Sequence, residues 1–347
     1  MAATEHAPSP VVDTFHLARL RAAAGAGPVL ILTHDNPDPD ALAAGKALAV
    51  LLQAFAGVAS RLAYSGLVAR AENRVVLERL TPEWQHDEQP GNFEQYSAVA
   101  LVDTQPGAGN NRLPGDYIPQ IVLDHHQPIR DSMAGVRFAD VRPGMGATVT
   151  MLYQYLAAAN IEPDPLLATA MFYGLKTDTR SLSRGITPED ETVYLRLLSR
   201  TSREELARVE QAGLARDYYI AFSRGLSAAR IYGHAVIARL GDMHQPDMPA
   251  ELADLLIRLE YAQAVLCLGQ FDDILHFSLR TKPLTESAGQ LIQRVVVAPG
   301  KAGGHRSMAG GQVPLAGRAP DELMDEIEAR FLAATGGAGS GELLLAE

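Results

Sequence analysis

Three short apolar runs, each leading to histidine or aspartate, constrain this chain more than any other feature. Residues 29–32 (Val-Leu-Ile-Leu) run through Thr33 to His34 and the turn Asp35-Asn36-Pro37-Asp38-Pro39-Asp40. Residues 98–102 run into Asp103, and residues 121–123 into Asp124-His125-His126. Val-, Ile- and Leu-rich runs without polar alternation read as strands buried on both faces, hence as a parallel sheet. An open parallel sheet places its ligand crevice at the carboxyl ends of its strands. The pattern therefore gathers His34, Asp38, Asp40, Asp103, Asp124, His125 and His126 at one edge, a donor set suited to divalent metal ions.

Between and after these runs, strands alternate with helical stretches, which predicts a doubly wound α/β domain. A crossover helix is expected over 41–55, short strands over 61–64 and 136–139, and helices over 146–156 and 165–175, the last ending at Thr177-Asp178-Thr179. Pro188 suits a helix first turn, and Ser202 with Glu205 forms a capping-box candidate. Strand signals return at 234–240, 262–268 and 274–280, with helices expected over 250–258, 284–295 and 320–333. The reading is a catalytic domain over 12–186, a helical linker over 187–225 and a smaller α/β domain with a mixed sheet over 226–335. A Gly-rich stretch, 336–341, reads as a mobile tail.

Composition excludes several classes. At 347 residues, 47% hydrophobic and 20% charged, the chain is long enough for two cored domains. A formal net charge of −11 argues against a basic surface coating long nucleic acid. Cys267 is the single cysteine, so no disulfide can form within the chain, and its apolar run marks it as a buried small hydrophobe. Residues 1–10 lack the pattern of a secretory signal, and the longest apolar stretch, 47–59, is interrupted by Gln53 and too short to span a bilayer. The expectation is a cytoplasmic protein with no membrane partner.

Without nearby thiolates, a cysteine-type zinc site is excluded. Pro37 and Pro39 fix two φ angles and predict a stiff, non-helical loop presenting Asp38 and Asp40. Two carboxylates at that spacing can serve one metal each, and a third, such as Asp103, can bridge. Paired metals about 3.5–4 Å apart are the usual arrangement for in-line phosphoryl displacement.

With Tyr173-Gly174-Leu175-Lys176-Thr177-Asp178-Thr179 and Gly303-Gly304-His305-Arg306-Ser307-Met308-Ala309-Gly310-Gly311, the order of motifs resembles the DHH phosphoesterase superfamily. The likeness is to the branch with a DHH-associated C-terminal domain, which includes RecJ-like exonucleases and the oligoribonucleases called nanoRNases. That resemblance implies two metal ions, usually manganese, with magnesium or cobalt as alternatives. It implies His34 and Asp38 on the first metal, Asp40, His125 and Asp178 on the second, and Asp103 as the bridge. It also implies His126 facing the substrate phosphate and Asp124 orienting the histidines, with a metal-activated water attacking phosphorus.

Residues 277–318 carry six basic side chains (Arg280, Lys282, Arg294, Lys301, Arg306 and Arg318) against one acid, Glu286. This local excess suggests a seat for an anion. Arg280, Lys282, Gly303, Gly304, His305 and Arg306 are the candidate substrate-binding residues, the glycines allowing close backbone approach to phosphate. The leading expectation is hydrolysis of short single-stranded oligonucleotides to mononucleotides, or of phosphoadenosine phosphate to AMP, with a homodimer as the expected assembly. The competing readings are a cyclic or linear dinucleotide phosphodiesterase, a single-strand exonuclease, and a catalytically silent nucleotide-binding module.

Overall fold

A computed structural model describes residues 12–282, 287–304, 306–337 and 339–346. The chain divides into two compact units at Ala212/Gly213. The expected linker helices are shared out: α6 and α7 below fall in the first unit and α8 in the second.

The first unit is built on a six-stranded parallel sheet. Its strands are β1 (Val29–Leu32), β2 (Ser60–Tyr64), β3 (Trp84–His86), β4 (Ala98–Val102), β5 (Ile121–Asp124) and β6 (Phe138–Val141). Their spatial order is β3-β2-β1-β4-β5-β6. The order reverses between β1 and β4, and such a switch point is where a doubly wound sheet opens its crevice. Strands β1, β4 and β5 are buried along their whole length, as their unbroken apolar runs require.

The helices of this unit are α1 (Thr14–Ala24), α2 (Pro39–Leu51), α3 (Ala71–Val75), α4 (Thr148–Ala158), α5 (Pro165–Asp178), α6 (Pro188–Leu198) and α7 (Arg203–Glu210). These helices build one large apolar core with one face of the sheet, α3 only through the partly buried Val75. The opposite face, formed by Leu30, Leu32, Ala63, Val99, Leu101 and Val122, is covered by loop residues including Phe93, Leu113, Tyr117 and Met133. Right-handed crossovers place the β4–β5 and β5–β6 connections on that second face. These connections carry aromatic and apolar side chains in place of helices.

The Pro-rich turn departs from expectation. Instead of staying outside the helix, Pro39 occupies the first position of α2, and Asp38 is its N-cap, accepting from Ala41 N at 3.0 Å. Proline is favoured there because the first-turn N–H lacks an intrahelical partner. The helix continues through a π-helical segment, Leu52–Ala56. The combined stretch Pro39–Ala56 is long and apolar enough on composition to cross a membrane, contrary to the sequence expectation, but 67% of it is buried inside the unit. Sequence reasoning missed α1, α3 and β3.

The second unit holds a mixed seven-stranded sheet of order β11-β12-β10-β9-β8-β7-β13. The strands are β7 (Arg230–Tyr232), β8 (Ala235–Asp242), β9 (Ala264–Phe271), β10 (Ile274–Thr281), β11 (Lys301–Gly304), β12 (Met308–Pro314) and β13 (Glu342–Leu343). Only the β8–β9 pair is parallel. One face packs α10 (Ala288–Val295) and α11 (Pro320–Thr335); the other packs α8 (Arg216–Ala228) and α9 (Met248–Leu256). Cys267 is buried in the latter core, and burial pushes its thiol pKa up.

Two expectations change here. The glycine stretch read as a phosphate-approach loop is largely strand: Gly303 pairs with Gly310, and Gly304 with Ala309. Gly311 is needed because an added Cβ would lie 2.3 Å from the Phe277 ring. The tail read as mobile leads into β13, which pairs with β7, so its end is held by the sheet.

Gly174 sets the spacing of α5 against α2. A Cβ there would lie 2.9 Å from Asp40 Cα and 3.0 Å from Pro39 O, backbone atoms that cannot rotate away. Gly174→Ala should destabilise the first unit by about 1–3 kcal/mol, measured by chemical unfolding.

Candidate metal centre

The carboxyl ends of β1, β4 and β5, the first turn of α2 and the last residue of α5 converge. Among the described residues, His34, Asp38 and Asp103 bring ligand-capable atoms within 4.8 Å of one another. Asp40, His125 and Asp178 do the same, as do Asp103, His125 and His126. Asp103 faces both sides: its Oδ2 lies 3.5 Å from His34 Nε2, and its Oδ1 lies 3.5 Å from His125 Nε2. Asp178 Oδ2 is also 3.5 Å from His125 Nε2. All six residues assigned to metals in the sequence are thus brought together, and Asp38 and Asp40 fall in different groups.

The backbone aims each side chain. Asp103 follows β4 with φ +61°, a left-handed conformation that Asp tolerates better than most residues and that turns the chain sharply at the strand end. Asp40 lies in the first turn of α2 and is fully buried. Its two oxygens accept from Thr148 N at 2.7 Å and Val149 N at 2.8 Å, the first amides of α4. Those amides have no intrahelical acceptor, and the helix dipole favours a carboxylate there. Thr148 Oγ1 donates to Asp103 Oδ1 at 2.7 Å.

The imidazoles are oriented through their second nitrogen. His34 Nδ1 lies 2.9 Å from Asp35 O, and His125 Nδ1 lies 2.9 Å from Met145 O. A carbonyl can only accept, so both Nδ1 atoms carry a proton, and it is Nε2 of each ring that faces inward and offers a lone pair once deprotonated. His125 Nε2 is buried without a hydrogen-bond partner. An orphaned buried acceptor aimed at two carboxylates is the environment a cation would satisfy. His126 Nδ1 sits 2.8 Å from Asp124 Oδ1, while Gln105 Nε2 donates to Asp124 Oδ2 at 2.7 Å. Thr148, Met145 and Gln105 were missed from sequence: none has a composition signal, and two act through backbone atoms.

Crowding shapes the charges. Burial, with Asp103 nearby, pushes the Asp40 carboxyl up to about 8. Burial and the carboxylates of Asp38, Asp40 and Asp103 push Asp178 well above the ordinary range. Burial opposes the charge of Asp103, but the three histidines outweigh it and hold that carboxyl far below the usual value. Burial also opposes protonation of His34 and His126, yet the carboxylates of Asp103, Asp38 and Asp124 raise both to about 9.

The candidate substrate residues of the second unit fare differently. Arg280 is buried and committed: Nε and an Nη bond Asp254 at 2.7 and 3.1 Å, and the other Nη bonds Ser278 Oγ at 2.7 Å. Lys282 Nζ donates to Leu259 O at 3.0 Å. The Arg280 head is satisfied inside this unit by the carboxylate and a carbonyl of α9, and half-buried Lys282 by carbonyls of the turn that follows α9. Gly303 and Gly304 are exposed on β11, and Arg306 is exposed beyond it. His305 lies outside the described residues.

Residues 28–175 match the model of the DHH family, N-terminal domain. Most of the first unit is thus similar to a DHH N-terminal domain. The uncharacterized protein MJ1633 of Methanocaldococcus jannaschii is 31% identical over 291 residues, covering 83% of this chain and 58% of that protein, so this chain spans less than two thirds of its curated relative. An exopolyphosphatase-related protein from Bacteroides fragilis superposes with a TM-score of 0.70 at 13% identity, over 94% of this chain and 98% of its own. That likeness establishes a shared fold: a parallel α/β sheet followed by a second, mixed-sheet unit.

The charge pattern has a pH consequence. In the metal-free protein, Asp40, Asp178, His34 and His126 titrate above their unfolded values. The folded state therefore binds more protons than the unfolded state, and stability falls as pH rises through that range. Asp103 acts oppositely, only at the acid end. The unfolding midpoint of chelator-treated protein should drop between pH 6 and 9, and a divalent cation should reverse the drop. Thermal scans with and without the cation check this.

Proposed function

We propose that this protein is a divalent-metal-dependent phosphoesterase that cleaves short oligonucleotides or small nucleotides. The observation that carries the reading is Asp103, whose two oxygens face the two ligand groups. On this reading His34 and Asp38 hold one ion, Asp40, His125 and Asp178 hold the other, and Asp103 joins them. Manganese suits a set of mixed carboxylates and imidazoles, with magnesium and cobalt as alternatives. Bound there, such ions supply water activated at neutral pH and offset charge building on the phosphoryl oxygens.

The chain's own residues do the rest. Asp35 O and Met145 O hold the Nδ1 protons of His34 and His125, so that Nε2 is the nitrogen each would turn to an ion. Thr148 and Val149 fix both oxygens of Asp40. Asp124, steadied by Gln105, holds His126, whose side chain is 41% exposed and so accessible to a phosphate. In the second unit the exposed strand glycines Gly303 and Gly304, with Arg306 and His305, are the residues proposed to engage the nucleotide. Arg280 and Lys282 are assigned instead to the fold. The chain's net charge of −11 and its 6% aromatic content favour a short substrate over a long single-strand track.

Purified protein is assayed with manganese on phosphoadenosine phosphate, an RNA dinucleotide, a cyclic dinucleotide, polyphosphate and a DNA 24-mer. Turnover concentrated on the first two supports the proposal. Efficient trimming of the 24-mer moves the protein to the exonucleases, phosphate release from polyphosphate moves it to the polyphosphatases, and no turnover overturns the reading. Asp103→Ala should lower kcat by at least about a thousandfold, the scale on which removal of a central electrostatic group acts. A second pair of variants separates binding from folding. Arg306→Ala should raise KM with an unchanged unfolding midpoint, and Arg280→Met should lower the midpoint by several degrees.

A further inference from the structure

Asp190 lies outside every motif that carries the proposed chemistry, yet it is fully buried. It sits in the first turn of α6 and completes a capping box with Thr187. Its Oδ2 accepts from Thr187 N at 2.8 Å, from Thr187 Oγ1 at 2.7 Å and, far away in sequence, from Gly146 N at 2.8 Å. Its Oδ1 accepts from Thr150 Oγ1 at 2.6 Å. A helix cap needs one or two of these bonds. The bonds to Gly146 and Thr150 do something else: they clamp both ends of the 146–150 segment.

That segment and its neighbour Met145 hold Asp40 and His125 of the second ligand group, and Asp103 beside them. Met145 O orients His125, Thr148 N and Val149 N hold Asp40, and Thr148 Oγ1 holds Asp103. Thr187 Oγ1 also lies 3.4 Å from Met145 Sδ. The fit leaves no slack: a Cβ at Gly146 would lie 2.7 Å from Thr179 Cγ2 and 2.9 Å from Asp190 Oδ2. His34 and Asp38 are held by other means, through Asp35 O and Ala41 N.

Building on the metal-centre reading, we infer that Asp190 is a positioning residue that sets the geometry of Asp40 and His125 in the second ligand group and leaves His34 and Asp38 largely untouched. It acts from two bonds away, through the 145–150 segment. Outer partners of metal ligands typically carry about tenfold to a hundredfold in metal affinity.

The test compares the full-length wild type with Asp190→Asn and Asp190→Ala. Manganese binding is followed by calorimetry and by the electron paramagnetic resonance signal of a coupled manganese pair. The imidazole nitrogens of the metal-free proteins are followed by nitrogen-15 NMR. Asp190→Asn should weaken one of two sites about tenfold or more, keep the other within about threefold, and raise the manganese concentration needed for the pair signal. Its His125 resonances should shift while those of His34 stay in place. Equal affinities at both sites in folded Asp190→Asn, or equal weakening of both, would overturn the inference. Should Asp190→Ala fail to fold, the Asn variant decides. Failure of the wild type to bind two ions sinks the metal-centre reading instead, and the metal-free histidine spectra still judge the role of Asp190.

Discussion

The carboxylate of Asp103 is the interaction on which the first unit turns. It is buried and faces His34 with one oxygen and His125 with the other. A lone buried carboxylate would be expelled or protonated. Here three imidazoles keep it charged. The same clustering crowds Asp40 and Asp178 against it, and burial with mutual repulsion drives their pKa values up. The metal-free centre is thus a protonated assembly that a cation can displace protons from, and this is the linkage expected of a metal site.

The sheet makes that crowding tolerable. Parallel strands end together, so His34, Asp103 and Asp124 reach the crevice from three adjacent carboxyl ends. Helix α2 then starts inside the crevice and α5 finishes there, so the Asp-x-Asp pair and Asp178 complete the ring. The first amides of α4 neutralise Asp40 in part, because an unsatisfied helix N-terminus is the cheapest available donor for a buried anion. Gly174 lets the backbones of α5 and α2 approach closely, and Gly146 leaves room for the side chains of Thr179 and Asp190.

The second unit illustrates how local charge misleads. Six basic residues in one stretch of sequence resemble an anion seat, yet Arg280 and Lys282 turn inward to Asp254 and to the carbonyls of residues 259 and 260. The glycines read as a loop pair as strands, since glycine in a hairpin can also serve packing against a neighbour such as Phe277.

The sequence by itself determined the parallel sheet and the strand ends that bring His34, Asp103, Asp124, His125 and His126 to one edge. Each of these is local: an unbroken apolar run dictates a doubly buried strand, and whatever follows the run must emerge at its carboxyl end. It misplaced the Asp38–Asp40 turn only by treating proline as a helix breaker where it starts a helix. The tertiary structure alone decided which donors face each other and that Thr148, Met145, Gln105 and Asp190 support them. It also decided that Arg280 is structural. Those contacts join residues far apart in the chain, several through backbone atoms that every residue carries, so composition and spacing hold no trace of them.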